Sequence, residues 1–164
     1  MTEIVTHTIA PVFDQASHVL ILGTIPSPKS RENGFYYGHP QNRFWRALAA
    51  VLEVPLPQSN EEKRQLVLFH HIALWDVLAS CSIEGASDSS IRNPVPNDLN
   101  RILNAADIRA IFTTGKKAKA LYDRYCYPLT GRAAIGLPSP SPANCRGCAL
   151  DDLIRAYRII LDYI

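Results

Sequence analysis

Four short apolar segments, separated by helical segments, restrict the fold more than any other feature of this chain. Val19–Leu22 is apolar at every position, as expected of a strand buried on both faces. The other three segments are largely apolar and lie at Ile72–Leu78, Ala110–Thr114 and about residues 133–137. Buried strands that alternate with helices form a parallel sheet with helices on both faces. The sequence therefore predicts an α/β fold, a three-layer α/β/α sandwich with a central, mainly parallel four-stranded sheet.

Helical periodicity and capping signals fill the intervals between these strands. The predicted helices cover residues 42–52, a segment after the capping box at 59–62, a short segment after 98, residues 115–125 and the segment from about 148. Residues 80–97 are polar and rich in Ser, Asn and Pro, which predicts a long loop.

The bulk properties are those of an ordinary globular protein. The 164 residues are 47% apolar and 20% charged, with a net charge of +2, and we expect residues 1–164 to form a single domain. No apolar run approaches the roughly 18 residues of a membrane span, and the N-terminal segment lacks the pattern of a signal peptide. We therefore expect a cytoplasmic protein that does not associate with membranes.

Three unusual loops follow predicted strands. The first strand runs into the segment Gly23–Asn42, the second into residues 80–97, and the fourth into Pro138–Asn144. In open parallel sheets, ligands bind outside the carboxyl ends of the strands. The three loops are therefore predicted to meet at one edge of the sheet and to form the functional site there.

The segment Gly34–Arg43, called here the aromatic loop, carries an unusual set of side chains: Phe35, Tyr36, Tyr37, His39, Asn42 and Arg43. Such groups can stack on a flat ring, read its edge and hold a phosphate. Phe35 can equally belong to the core, and His39 can be a histidine held by backbone hydrogen bonds instead of a general base. Asn42 can be a plain helix N-cap, or can also orient water and donate hydrogen bonds.

The segment Pro138–Asn144, called here the proline loop, offers two hydroxyls and an amide, from Ser139, Ser141 and Asn144. The prolines between them, Pro140 included, stiffen the backbone, so the loop could press into a duplex without first losing entropy. The alternative is a rigid surface turn. Arg43 and Lys116, beside predicted loops and helix starts, are further candidates for contact with phosphates.

Several common chemistries lack their sequence signals. The chain has no P-loop, dinucleotide fingerprint, nucleophile elbow or histidine pair with metal-ligand spacing. Cys145 and Cys148 form one C-x-x-C pair without the second ligand pair that a structural zinc site usually needs. Reduced thiols or redox chemistry both fit this pair. Asp76 is the one carboxylate at the end of a predicted strand, and it can be functional or a buried structural residue.

These motifs resemble the uracil-DNA glycosylase superfamily over nearly the whole chain. Residues 23–27, Gly-Thr-Ile-Pro-Ser, match its first motif, and residues 138–141, Pro-Ser-Pro-Ser, match the second, which enters DNA. The aromatic loop resembles that of mismatch-specific uracil-DNA glycosylases. The segments Gly-His-Pro-x-Asn-Arg-Phe-Trp, Ala-Leu-Trp-Asp-Val and Ser-Pro-Ser-Pro-Ala-Asn are similar to the hypoxanthine-DNA glycosylase branch. Where other branches carry Asp or Asn to position water, this chain has Ile25.

The resemblance implies a monofunctional DNA-repair glycosylase that releases a deaminated base, with hypoxanthine from deoxyinosine as the first candidate, and with no metal or cofactor. Asn42 and His39 are then the catalytic candidates, and Tyr37 stacks on the flipped base. The other implied residues bind substrate (Gly23, Thr24, Ser27 and Phe35) or DNA (Ser139, Pro140, Ser141, Asn144, Arg43 and Lys116). The expected partner is double-stranded or single-stranded DNA, bound by a monomer. Uracil or xanthine as the base, and a non-catalytic module that binds damaged bases, remain the alternatives.

Overall fold

The computed structural model describes residues 2–84 and 88–164. In this part of the chain the strands are β1 (Thr2–Thr6), β2 (Val19–Gly23), β3 (Ile72–Asp76), β4 (Leu78–Glu84), β5 (Arg92–Pro96), β6 (Ala110–Thr114) and β7 (Ala134–Leu137). The α-helices are α1 (Pro28–Asn33), α2 (Phe44–Leu52), α3 (Asn60–Phe69), α4 (Asn100–Leu103), α5 (Lys116–Leu121), α6 (Tyr127–Thr130) and α7 (Leu150–Tyr157). Short 3₁₀ or π-helical stretches cover Asp88–Ser90, Tyr122–Cys126, Pro142–Asn144 and Arg158–Asp162.

A four-stranded sheet in the order β3-β2-β6-β7 forms the centre of the molecule. Each neighbouring pair in it is parallel. Every residue of β2, β3 and β6 is buried, which requires cover on both faces of the sheet. The predicted α/β/α sandwich with a four-stranded parallel sheet is therefore confirmed.

A second, antiparallel sheet corrects the prediction for residues 80–97. Instead of a long loop, this segment supplies β4 and β5, which join β1 in the order β1-β4-β5. These strands are only partly buried, so Ser, Asn and Pro are tolerated and the apolar pattern of a core strand is absent. Residues 85–87 of the predicted loop lie outside the described residues.

The helical predictions hold in position but not in all boundaries. The first predicted helix begins at Phe44 rather than Asn42, and the helix predicted over 115–125 turns π-helical after Leu121. No helix in residues 2–84 or 88–164 combines the length and apolar character needed to cross a membrane.

Strand register brings two of the three predicted loops together. The third, residues 80–97, instead supplies strands of the second sheet, and of its described residues only Ile83 lines the site cavity. Gly23 at the end of β2 pairs with Asp76 at the end of β3, and Thr114 of β6 pairs with Leu137 of β7. Leu22 lies beside Thr113, so the ends of all four strands form one row. The aromatic loop and the proline loop extend over this edge of the sheet, where Arg43 N donates to Pro140 O at 3.1 Å.

Candidate active site

A cavity of about 330 Å³ lies at the carboxyl ends of β2, β3 and β6. Its volume is at the small end of ligand pockets, which span roughly 300–1,000 Å³, and suits a single ring system. The cavity brings together nine of the residues predicted for the site: Gly23, Thr24, Ser27, Tyr37, His39, Asn42, Ser139, Pro140 and Ser141. Ile25 and Asp76 line it as well.

Tyr37 forms one wall of the cavity in a backbone conformation that few non-glycine residues adopt, with φ of 54°. Its ring stacks on the buried Phe44 ring, with centroids 3.9 Å apart and planes 11° apart. Thr114 Oγ1 donates to Leu22 O at 3.3 Å, so the Tyr37 hydroxyl is the donor in the 2.9 Å bond to Thr114. Tyr37 is therefore fixed by its hydroxyl and by one ring face.

The hydroxyl of Tyr37 stays protonated at neutral pH. Burial above all, and then the nearby Asp76 carboxylate, raise the pKa of Tyr37 far above its ordinary value, while the Thr114 hydrogen bond lowers it slightly. The hydroxyl therefore keeps the hydrogen that it donates to Thr114, and the ring does not become charged beside Asp76.

Asn42 has one part of its amide engaged and one part free for the cavity. Its Oδ1 accepts from the backbone N–H of Phe44, the first residue of α2, at 2.9 Å, an Asx-type bond made from the position before the N-cap residue Arg43. That contact assigns the oxygen and leaves Nδ2 as a donor, together with the second lone pair of Oδ1. The interpretation of Asn42 as the N-cap is therefore wrong by one position, since Arg43 is the N-cap, but the bond to Phe44 N still leaves part of the amide for the cavity.

His39 is oriented by its own loop. Its Nδ1 accepts from the backbone N–H of Gln41 at 3.0 Å, so the neutral imidazole carries its hydrogen on Nε2. The His39 carbonyl in turn accepts from Asn42 N at 2.9 Å. The two candidate catalytic side chains are thus held in one turn that lines the cavity.

Asp76 supplies a carboxylate to the cavity, and sequence reasoning gave it no assigned role. Its Oδ2 lies 2.8 Å from Nε2 of His7, and the two side chains are only 6% and 2% exposed. Oδ1 lies against Gly23, where an added Cβ would be 2.5 Å away from it. Only glycine therefore allows this carboxylate to reach its position. His7 is 69 positions from Asp76, and no local signal links them.

Phe35 and Arg43 correct two of the predictions. Phe35 is 7% exposed and packs on Trp45 in the core, with ring centroids 6.1 Å apart, so it does not line the cavity. Arg43 is also buried, and its guanidinium donates to the carbonyls of Cys148 and Ser141. Arg43 therefore anchors the proline loop from inside and offers no free charge to a phosphate.

The proline loop is held from inside the protein and keeps its hydroxyl hydrogens for other partners. Asn144 Nδ2 donates to Ser139 O at 3.0 Å, so this amide stabilises the loop and lies outside the cavity lining. The Oγ atoms of Ser139 and Ser141 each accept from a backbone N–H, at 3.2 Å. Both hydroxyls remain able to donate to an oxygen such as that of a phosphate.

Of the other charged and polar candidates, Lys116 does not line the cavity, whereas Ser27 lines it and also has a role within the fold. Lys116 is exposed at the first position of α5, and Ser27 caps α1 through the backbone N–H of Ser30. Arg31 does line the cavity, but its guanidinium is 3.2 Å from Glu3 and contacts the Pro26 carbonyl. In the described parts of the chain, no three His, Cys, Asp or Glu side chains could together hold a metal ion. Cys145 is exposed, Cys148 is buried, and both are free thiols.

Comparison with known proteins identifies the family of this fold and cavity. The model of the uracil DNA glycosylase superfamily matches residues 10–156, most of the chain. This chain belongs to the uracil DNA glycosylase superfamily. The family prediction made from the motif loops is confirmed.

Two relatives in this superfamily are named hypoxanthine DNA glycosylase. The protein from Methanosarcina acetivorans is 35% identical over 137 residues, which cover 82% of this chain and 85% of the relative. The protein from Methanosarcina barkeri is 34% identical over 110 residues, covering 66% and 70%. A solution NMR structure from Methanosarcina acetivorans, provisionally described as a uracil DNA glycosylase, has a TM-score of 0.80 at 29% identity. It covers 97% of this chain and 99% of its own.

Proposed function

We propose that this protein is a monofunctional DNA glycosylase that hydrolyses the N-glycosidic bond of a deaminated base flipped out of DNA. Hypoxanthine, in deoxyinosine, is the proposed first substrate, because both relatives carry the name hypoxanthine DNA glycosylase. The observation that carries the proposal is the convergence of Tyr37, Asn42 and Asp76 on one cavity that suits a single base. A base must leave the helical stack to reach such a cavity.

Base recognition follows from the donors and acceptors of the cavity. One face of Tyr37 is covered by Phe44, which leaves the opposite face for a stacked base. Oδ2 of Asp76 is bound by His7, so Oδ1 is the acceptor available for a ring N–H. Hypoxanthine has N1–H beside O6, and uracil presents the equivalent N3–H beside O4. Adenine has an acceptor at N1, which would face the carboxylate and be repelled.

The proposed chemistry breaks the bond between C1′ and the base and forms a bond from C1′ to a water oxygen. Asn42 holds the water through the free lone pair of Oδ1 while the water loses a proton. The bonding electrons leave with the base through an oxocarbenium-like transition state. A base that departed as an anion beside Asp76 would be destabilised. Nε2–H of His39 is therefore assigned as a hydrogen-bond donor to the departing base and keeps its own proton. The proton that the water loses passes to solvent, and the base takes up one proton from solvent, so the reaction balances as water plus nucleoside to free base plus abasic sugar.

We assign the proline loop to the DNA rather than to bond cleavage. Its interior is fixed by Arg43 and Asn144, while the Ser139 and Ser141 hydroxyls keep donors for phosphate oxygens. Such a loop can occupy the space of the extruded base without being ordered first. We expect double-stranded DNA with a deaminated base as the main substrate and single-stranded DNA as a second. Action as one domain, as a monomer, in the cytoplasm and without a cofactor remains predicted.

A non-catalytic module that binds flipped bases is the second candidate, and Ile25 is the observation in its favour. This apolar side chain lines the cavity. By the motif resemblance, other branches of the superfamily have a water-orienting residue at this position. Such a module would bind an inosine duplex tightly and never release the base.

One assay separates these candidates. Duplexes that carry inosine, uracil, xanthine or adenine at one position are incubated with the protein and then treated with alkali, which cleaves the strand at abasic sites. Cleavage at inosine, with uracil or xanthine slower and adenine intact, is the expected pattern. An inosine duplex that is bound but stays intact would replace the enzyme proposal with the binding module. An Asn42→Ala variant in parallel controls for contaminating glycosylase.

A further inference from the structure

The His7–Asp76 pair lies at the inner wall of the cavity, where Asp76 is a lining residue. The pair connects the antiparallel sheet to the central parallel sheet. His7 follows β1, and its backbone N donates to Ala79 O of β4 at 2.7 Å, while Asp76 ends β3. A carboxylate only accepts hydrogen bonds, so Nε2 of His7 is the donor in the 2.8 Å contact with Oδ2. Within the described residues this is the one hydrogen bond of the His7 side chain.

The backbone at Asp76 does not depend on this contact. Asn97 Nδ2 donates to Asp76 O at 2.9 Å and to Leu78 O at 3.1 Å, and the β2–β3 ladder includes Asp76 itself. The imidazole therefore acts on the carboxylate group alone, and what it fixes is the rotation of that group.

The position of His7 is itself fixed by aromatic neighbours. Its ring centroid is 6.0 Å from that of Tyr36 and 6.5 Å from that of Trp75, the latter edge-on. The imidazole is thus packed in one orientation, and the direction of its Nε2–H is set. Oδ2 points to His7, which leaves Oδ1 beside Gly23 and the cavity.

We propose that His7 is a positioning residue for base recognition, holding the Asp76 carboxylate so that Oδ1 accepts from a ring N–H next to a carbonyl. This inference rests on the proposed function and narrows its substrate class. The site would take oxo bases that carry the N–H, and would reject adenine and bases methylated on that nitrogen. His7 touches no substrate atom, because it acts through Asp76.

Binding without chemistry provides the first test. Duplexes carrying 2′-fluoroarabino-inosine, whose fluorine blocks cleavage, are compared with the same duplex methylated at N1. His7→Leu removes the donor, His7→Gln keeps an N–H at similar reach, and His70→Leu is a control that loses a bond to Leu66 O outside the cavity. Thermal unfolding is measured for every variant.

His7→Leu should weaken binding of the inosine duplex by about tenfold, while the N1-methyl duplex changes little. His7→Gln and His70→Leu should bind the inosine duplex within about twofold of the original protein. Equal losses on both duplexes would assign His7 a purely structural role and overturn the proposal, as would unchanged inosine binding in His7→Leu.

A second variant keeps the test decisive if His7→Leu does not fold. In Asp76→Asn, the N–H of His7 requires the oxygen of the new side-chain amide as its acceptor. The amide nitrogen then faces the cavity in place of Oδ1, and binding of the inosine duplex should fall by about tenfold or more. In the double variant with His7→Gln, the glutamine can accept from the amide nitrogen and return the amide oxygen to the cavity. Recovery of inosine binding in the double variant is expected, and its absence would contradict the positioning role. Failure of the original protein to release any base would instead refute the proposed function.

Discussion

Asn42 has one structural contact and, in the proposed function, a chemical role within the same amide. Its oxygen accepts from Phe44 N at the start of α2, while its nitrogen remains free at a cavity that also contains Asp76 and Tyr37. Ile25, the apolar residue that lines the same cavity, cannot orient water. The structure therefore leaves Asn42 as the amide on which the proposed hydrolysis depends.

Replacing Asn42 by Ala should abolish base release while the protein remains folded. Loss of the hydrogen bond to Phe44 N should lower the free energy of unfolding by about 1 kcal/mol. The lost positioning of water should slow single-turnover release by roughly 100-fold or more. Single-turnover kinetics and thermal unfolding measure the two effects separately.

Ser59→Ala is the matched control for that variant. Ser59 caps α3 by accepting from Glu62 N at 3.1 Å, outside the cavity lining. A similar loss of stability with an unchanged rate is expected. An Asn42→Ala protein with near-normal rates would transfer the catalytic role to His39 or Asp76.

Gly23→Ala should block the site by contact with Asp76. The new Cβ would lie 2.5 Å from Asp76 Oδ1 and would displace this carboxylate. Because the carboxylate is proposed to recognise the base, its displacement should slow base release by roughly 100-fold. Gly136→Ala is the control, since a Cβ there meets only the flexible Lys119 side chain at 3.8 Å. Equal single-turnover rates for the two variants would show that the position of Asp76 does not matter.

The limits of prediction at this scale are visible in the aromatic loop. Tyr37 and Asn42 could be selected by their chemistry, but three consecutive aromatics must divide between core and cavity. The division depends on the left-handed backbone at Tyr37, with φ of 54°, which the sequence does not reveal. Phe35 and Tyr36 are buried, and Arg43 was mistaken for a surface cation because buried carbonyl partners have no sequence signal.

At the scale of elements, the proline loop is held by hydrogen bonds to three of its carbonyl oxygens. Tyr157 Oη donates to Pro138 O at 3.1 Å, Asn144 holds Ser139 O, and Arg43 holds Ser141 O. These bonds come from α7, from the loop itself and from the aromatic loop. The two loops around the cavity are therefore linked to each other by hydrogen bonds from Arg43.

Replacing Ser141-Pro142-Ala143 by three glycines should slow base release from duplex DNA far more than from single strands. Extrusion of a base from a duplex costs a few kcal/mol, and less from an unpaired strand. A loop that occupies the space left by the extruded base therefore speeds release only from a duplex, where extrusion has this cost. The ratio of duplex to single-strand rates is the measurement, and an unchanged ratio would remove this role from the loop.

The two sheets differ in how well the sequence revealed them. β2, β3 and β6 are buried along their whole length, so their apolar runs were recognisable. β4 and β5 carry polar residues on partly exposed faces, and only pairing across the sheet defines them as strands. His7 was missed for the same reason, because its place beside Asp76 depends on β1 and β4.

At the scale of the whole molecule, the cavity contains the groups for hydrolysis and not for a lyase reaction. No lysine lines it in the described part of the chain, and Lys29 of α1 is 3.4 Å from Glu32. A lyase needs an amine that can form a Schiff base with the sugar. Borohydride should therefore trap no covalent complex with DNA, and a trapped complex would contradict monofunctional chemistry.

The central claim is that this cavity releases hypoxanthine from DNA by hydrolysis. Its most direct test is mass spectrometry of the free base after an inosine duplex is incubated with excess protein in a metal chelator. We expect one hypoxanthine for each inosine, with the strand left intact until alkali is added, and no adenine from the matched duplex. A duplex that is bound yet yields no free base, or release that requires added metal, would contradict the account.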